Sequence, residues 1–154
     1  MSASDIVIVR VFDAPRGRVF RAWVEPHLTI RWWAPRELTT ISFELVARPG
    51  GAWRAVLRAP SGAQSVEGGI VREVVLPERL VFTLASSDRP RRETLVSVAF
   101  SARDGKTQMI FRQSGFTSTS LRDANKDGWI ECFDQLESLL QEALTAELGT
   151  AKRA

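Results

Sequence analysis

The chain has 154 residues, 44% of them hydrophobic and 25% charged, with a formal net charge of +3; that is room for one domain with a full core and too little for two of ordinary size. No apolar run approaches the roughly 20 residues that cross a bilayer, so membrane insertion is not expected. A single cysteine, Cys132, and a single histidine, His27, exclude an internal disulfide and a thiolate zinc cluster.

The N-terminal stretch carries Asp5 where a secretory signal would want basic residues, and Ile6 to Phe12 alternates apolar with polar positions. It reads as a first strand, in a protein expected to be cytoplasmic. Asp13 and Pro15 then supply a helix start, a capping side chain followed by a proline. Val19, Phe20, Trp23 and Val24 recur at helical spacing. A second helix opened by Pro26 is expected to carry Leu28, Ile30, Trp32 and Trp33 before Pro35 stops it.

From Thr39 the period changes to two for about 75 residues, which describes an antiparallel meander. Ile41, Phe43 and Leu45 form one strand, and the ARPGG of Ala47 to Gly51 turns the chain into a second with Trp53, Ala55 and Leu57 inward. Further strands run from Val66 to Val75, Leu80 to Leu84, Thr94 to Ser101 and Thr107 to Gln113. The last two flank Asp104-Gly105, a strong hairpin signal. Gly50-Gly51 and Gly68-Gly69 lack the spacing of a phosphate loop and read as turn and bulge glycines. RPRR at Arg89 to Arg92 is the densest basic run, but it reads as a loop without interleaved aromatics, so no nucleic-acid partner is expected.

Trp129, Phe133, Leu136, Leu140, Ala143 and Leu144 define one apolar stripe of a long helix, with Glu131, Gln135, Ser138 and Glu142 opposite. The helix is expected to extend back towards Ser120, with Asp123 as its capping partner. Within it DANKDGWIECFD, Asp123 to Asp134, has the spacing of a calcium loop except for Asp134 at the twelfth place. On one helix Asp123 and Asp134 are roughly 16 Å apart, too far to share an ion. No metal site is expected. Cys132 falls in the apolar pattern, so a Cys132–His27 pair is not read as catalytic, and His27 reads as a structural residue at a helix start.

Strand, two short helices, a six-stranded antiparallel run and a long C-terminal helix is the order of an α+β helix-grip fold, in which a curved sheet wraps around the last helix. FDAPRGRVFRAWVEPHLTIRWWAP at Phe12 to Pro35, RPGG at Arg48 to Gly51, GIVREVVLPERLVFT at Gly69 to Thr83 and GWIECFDQLESLL at Gly128 to Leu140 carry a family resemblance. The chain resembles, over about residues 6 to 145, bacterial proteins similar to the C-terminal domain of the activator of heat-shock protein 90 ATPase. These belong to the START-like, polyketide-cyclase-like (SRPBCC) superfamily. The resemblance implies one START-like domain with a cavity between sheet and helix that holds a small apolar or amphipathic molecule, and no cofactor. Family members often carry an aspartate two residues before the arginine of the RPGG turn, where this chain has Val46. The separate N-terminal domain of the eukaryotic co-chaperone has no room in 154 residues, so a chaperone partner is not expected; a homodimer is left open.

Large side chains on inward faces are the candidates for lining such a cavity. They are Trp129 and Phe133 on the helix, Phe43, Trp53, Phe100, Met109 and Phe111 on strands, and Trp33, with Trp32, closing one end. Each has a second reading as a packed core aromatic. Glu73 shares strand parity with Val71 and Val75 and is read either as a polar group of the site or as a paired surface carboxylate. No pair of carboxylates stands at a spacing that suggests acid–base catalysis. Binding of a small apolar or amphipathic molecule is therefore the expected function, a cyclase- or hydrolase-like enzyme using the same cavity and a co-chaperone or protein-interaction domain being the alternatives.

Overall fold

The computed structural model describes residues 4–87 and 89–153, with side chains described except at 89–92, 145 and 147–153. Ten elements follow in chain order: β1 (Ile6–Phe12), α1 (Arg16–Val24), α2 (Pro26–Thr29), β2 (Thr39–Leu45), β3 (Ala52–Arg58), β4 (Gln64–Val75), β5 (Arg79–Ser86), β6 (Arg89–Arg103), β7 (Lys106–Ser114) and α3 (Thr119–Arg153). The strands form one antiparallel sheet in the order β1-β7-β6-β5-β4-β3-β2. β2 to β7 pair as consecutive hairpins, which short turns allow, and β1 closes the far edge by pairing with β7 from Ile6↔Gln113 to Phe12↔Thr107. The sheet curls around α3, giving the expected α+β helix-grip fold.

The β6–β7 turn shows why its sequence stands as it does. Arg103 pairs with Lys106, so the loop is the two residues Asp104 and Gly105. Both have positive φ, 53° and 80°, the demand that a tight turn matched to strand twist places on its central residues. Inward strand positions and the helix stripe then meet in one core, where Phe12, Trp23, Phe111, Phe133 and Leu136 are all essentially inaccessible to solvent.

Several local expectations are corrected. No side chain caps α1; Pro15 occupies the cap position itself, and its carbonyl accepts from the Arg18 and Val19 amides at 3.0 and 3.2 Å. α2 is one turn long, so Trp32 and Trp33 lie in the turn beyond it, not on a helix. That turn is tied to α1, because Thr29 Oγ1 and Trp32 Nε1 both donate to the Ala22 carbonyl at 2.9 Å. The RPRR run opens β6 instead of forming a loop, and its side chains fall outside the described residues. The α3 cap is Ser118, two residues before the expected Ser120: its Oγ accepts from the Leu121 amide at 3.1 Å.

The calcium-like stretch lies entirely within α3. Three of its acidic and amide groups are engaged in other ways. The Arg122 guanidinium bonds Asp123 at 2.7 Å, Asn125 Nδ2 donates to the Leu121 carbonyl at 2.8 Å, and Arg10 reaches from β1 to Asp134 at 2.7 Å. Titration calorimetry with calcium is expected to show no saturable heat up to millimolar concentrations, about the weak end of natural loops. Stoichiometric binding lost in Asp127→Ala would overturn that expectation.

Candidate functional site

The curled sheet does not fill the space against the whole of α3. Beneath the first four turns of the helix two compartments lie side by side. The first, about 220 Å³, is lined by Trp33, Pro35, Leu38, Leu57, Leu84, Trp129 and Cys132 among others. The second, about 290 Å³, is lined by Ser86, Thr94, Gln113, Phe116, Thr117 and Leu121 among others. Glu67, Leu84 and Asn125 line both, so the compartments meet at these three residues.

Each wall follows from a local feature of the chain. Trp33 is presented by the turn anchored on Ala22, packs its ring 5.3 Å from Trp129, and donates Nε1–H to Glu67 Oε1 at 3.1 Å. Gly128 lets α3 come close to Pro35, since a Cβ there would already stand 3.3 Å from the proline Cγ. β7 alternates Met109, Phe111 and Gln113 on one face, so the apolar row ends in a buried amide. That amide is held at both ends: Gln113 Oε1 accepts from Trp129 Nε1 at 2.8 Å, and Gln113 Nε2 donates to Thr94 Oγ1 at 2.9 Å. Thr94 Oγ1 in turn donates to the Leu84 carbonyl at 3.1 Å. Because the indole N–H can only donate, the orientation of the amide is set by chemistry.

One compartment is thus chiefly apolar and the other carries an ordered row of hydroxyl and amide groups, with a carboxylate between them. Cys132 in the apolar part is buried, and burial, reinforced by the negative charge of Glu67 and then Glu131, pushes its thiol far above the ordinary value. A thiol so held is neutral and a poor nucleophile. Among the described residues no group of three or more His, Cys, Asp or Glu side chains is arranged to hold a metal ion.

Of the residues expected to line a cavity, Trp33 and Trp129 face these compartments. Phe43, Trp53, Phe100, Met109, Phe111 and Phe133 are buried in the adjoining aromatic core. There Phe111 packs 4.6 Å from Trp129 and 5.3 Å from Phe133, Trp33 lies 5.1 Å from Phe43, and Phe100 meets Phe20 edge-on at 5.5 Å. Trp53 donates Nε1–H to the Thr83 carbonyl at 2.8 Å. Trp32 lies in the same core, 4.7 Å from Trp23. Glu73 sits apart from both compartments, its half-exposed carboxylate 3.3 Å from Arg79.

The residues not singled out from sequence are Glu67, Asn125, Gln113 and Thr94. Gln113 is signalled by its parity with Met109 and Phe111, and Glu67 by its parity with the buried Val71.

A curved antiparallel sheet gripping a long C-terminal helix, with a cavity between them, is the START-like (SRPBCC) architecture. The chain belongs to the family of activator of Hsp90 ATPase homolog 1-like proteins, whose model matches residues 13–141. No curated protein sequence matches it. Solved structures similar to it include the AHSA1 protein of Silicibacter pomeroyi, with a TM-score of 0.80 at 21% identity over 92% of this chain and 99% of that one. A protein of Nitrosomonas europaea gives 0.79 at 23%, covering 92% and 96%, and one of Chromobacterium violaceum 0.79 at 25%, covering 88% and 96%. These likenesses agree on the fold along nearly the full length of both partners.

Proposed function

We propose that the chain binds a small amphipathic molecule in the two-part cavity between α3 and the sheet, without metal or nucleotide. The observation that carries this reading is the adjacency of an apolar and a polar compartment that meet at Glu67, Leu84 and Asn125. Each compartment alone is smaller than a typical drug-sized site of about 300–1,000 Å³, whereas the two together fall within that range. The division matches a molecule with an apolar body and a polar head: aromatic and aliphatic walls take the first, and oriented hydroxyl and amide groups the second. Among the described residues no helix is long and apolar enough to cross a membrane, so the apolar walls are not those of a helical anchor.

Trp33 and Trp129 make the reading testable, because a ligand in the apolar compartment contacts both indoles. A panel of fatty acids, aromatic polyketides and flavonoid-like compounds should contain members that quench or shift tryptophan emission saturably. Asn125→Phe, which fills the junction from a helical position, is expected to weaken that binding by at least about tenfold. Absence of saturable change across the panel, together with no small molecule in the mass spectrum of the native protein, would defeat the reading.

A further inference from the structure

The amide of Gln113 is locked in one orientation with a donor to spare. Its side chain is only 1% exposed and lines the second compartment, whereas Trp129, which fixes it, lines the first. The hydrogen bonds run in one direction: the Trp129 indole donates to Oε1 at 2.8 Å, Nε2 donates to Thr94 Oγ1 at 2.9 Å, and that hydroxyl donates to the Leu84 carbonyl at 3.1 Å. Turning the amide over would set an N–H against the indole N–H, so it stays as it stands. A primary amide has a pair of N–H bonds. Thr94 takes one, and among the described residues no group accepts from the other. A buried N–H without an acceptor is rarer in proteins than a carbonyl with a spare lone pair, because leaving a donor unmade is costly. The hydroxyls of Ser86 and Thr117 in the same compartment can rotate to donate or to accept, and so suit either kind of head group. The nitrogen of Gln113 has no such choice.

Resting on the reading of the cavity as a small-molecule site, we propose that its ligand carries a carbonyl oxygen on an apolar body, and that this oxygen accepts from the second Nε2–H of Gln113 while the body lies against Trp33 and Trp129. The placement fits the two-part cavity. An indole in the apolar wall orients an amide in the polar one, so the ring system and the recognised oxygen fall on opposite sides of the junction.

Acetylnaphthalene and ethylnaphthalene, which have nearly the same shape and differ by the carbonyl oxygen, test this. Water expels the ethyl compound more strongly, so a cavity without a donor favours it. The wild-type protein is expected to bind the ketone at least as tightly. Gln113→Met keeps the length of the side chain and removes both N–H bonds, and a thermal melt checks that it folds. In that variant the ketone-to-ethyl affinity ratio should fall by about tenfold, as loss of one buried hydrogen bond to the ligand requires. Infrared difference spectra of the wild-type protein with isotope-labelled ketone should show the carbonyl stretch below its frequency in hexane, as an accepted hydrogen bond demands. Tighter binding of the ethyl compound to the wild-type protein would overturn the proposal, as would a ratio unchanged in folded Gln113→Met. In either case, ethylnaphthalene binding that is lost in Asn125→Phe leaves the cavity itself standing. If neither probe binds, carbonyl recognition falls and the broader ligand panel decides the cavity separately. Should Gln113→Met fail to fold, the wild-type preference and the infrared shift together support the proposal, and an unshifted stretch overturns it.

Discussion

Trp23→Ala is expected to lower the unfolding free energy by about 3 to 5 kcal/mol, the usual range for truncating a buried aromatic. Trp23 projects from α1 into the centre of the core, where its ring lies 4.7 Å from Trp32, 6.0 Å from Phe133 and 6.3 Å from Trp129. The cavity left behind would be bounded by aromatic rings from several separate elements, which cannot all close on it without moving the sheet. A finer comparison separates packing from hydrogen bonding. Among the described residues nothing accepts from Trp23 Nε1, whereas Trp32 Nε1 donates to the Ala22 carbonyl at 2.9 Å. Leaving a buried donor unsatisfied costs about 1 to 3 kcal/mol, so Trp23→Phe removes an existing penalty while Trp32→Phe removes a bond to a buried carbonyl. Denaturant unfolding should therefore show Trp32→Phe the more destabilising of the two by about 1 kcal/mol. Equal losses would mean that ring volume alone decides the stability of this core.

The alternation of strands and the apolar stripe of α3 were legible because each rests on a short-range period. Eight of the expected cavity residues, all but Glu73, are buried and face inward, and inwardness is all that parity can tell. Whether an inward side chain packs or lines a space depends on how far α3 stands from each strand. That distance is set by pairs distant in sequence, such as Arg10 with Asp134 at 2.7 Å and Gln135 Nε2 with the Ala34 carbonyl at 2.6 Å. The helical angle of Gln135 places it on the solvent side, yet that bond draws it onto the α2–β2 connection.

Glu73 shows a different limit. Its parity with Val71 holds only if β4 is regular, but between Val71 and Glu73 the register against β5 slips, so Val71 opposes Phe82 and Glu73 opposes Val81. Two steps on one strand against one on the other is a bulge, and it turns the following side chains over. Val74, opposite Leu80, is consequently the residue that packs against the core. Glu67, before the bulge, keeps the parity that points it into the cavity. Nothing in the REVV of Arg72 to Val75 marks the irregularity, since its residues suit a regular strand as well.

The glycine pair before that bulge is where a single methyl group should matter most. A Cβ on Gly69 would overlap the Thr83 carbonyl oxygen and come within 2.6 Å of its carbonyl carbon, both backbone atoms that no side-chain rotation can clear. The same carbonyl accepts from Trp53 Nε1 at 2.8 Å, and Thr83 Oγ1 accepts from the Ile70 amide at 2.9 Å. The missing side chain thus lets β5 approach β4 closely enough for Trp53 to be fastened across the sheet. Gly69→Ala is expected to cost at least about 2 kcal/mol, towards the upper end of overpacking substitutions, because strand separation and the Trp53 bond are lost together. Gly17→Ala supplies the contrast: the position lies in the first turn of α1, a methyl group added there would meet nothing within 4 Å, and its φ is not in the left-handed region. That change should stabilise by up to about 0.5 to 1 kcal/mol, since alanine gives up less backbone entropy on entering a helix. Urea midpoints of the two variants moving in opposite directions would establish close approach at Gly69 as the cause; a loss at both positions would point instead to a general intolerance of substitution in this half of the chain.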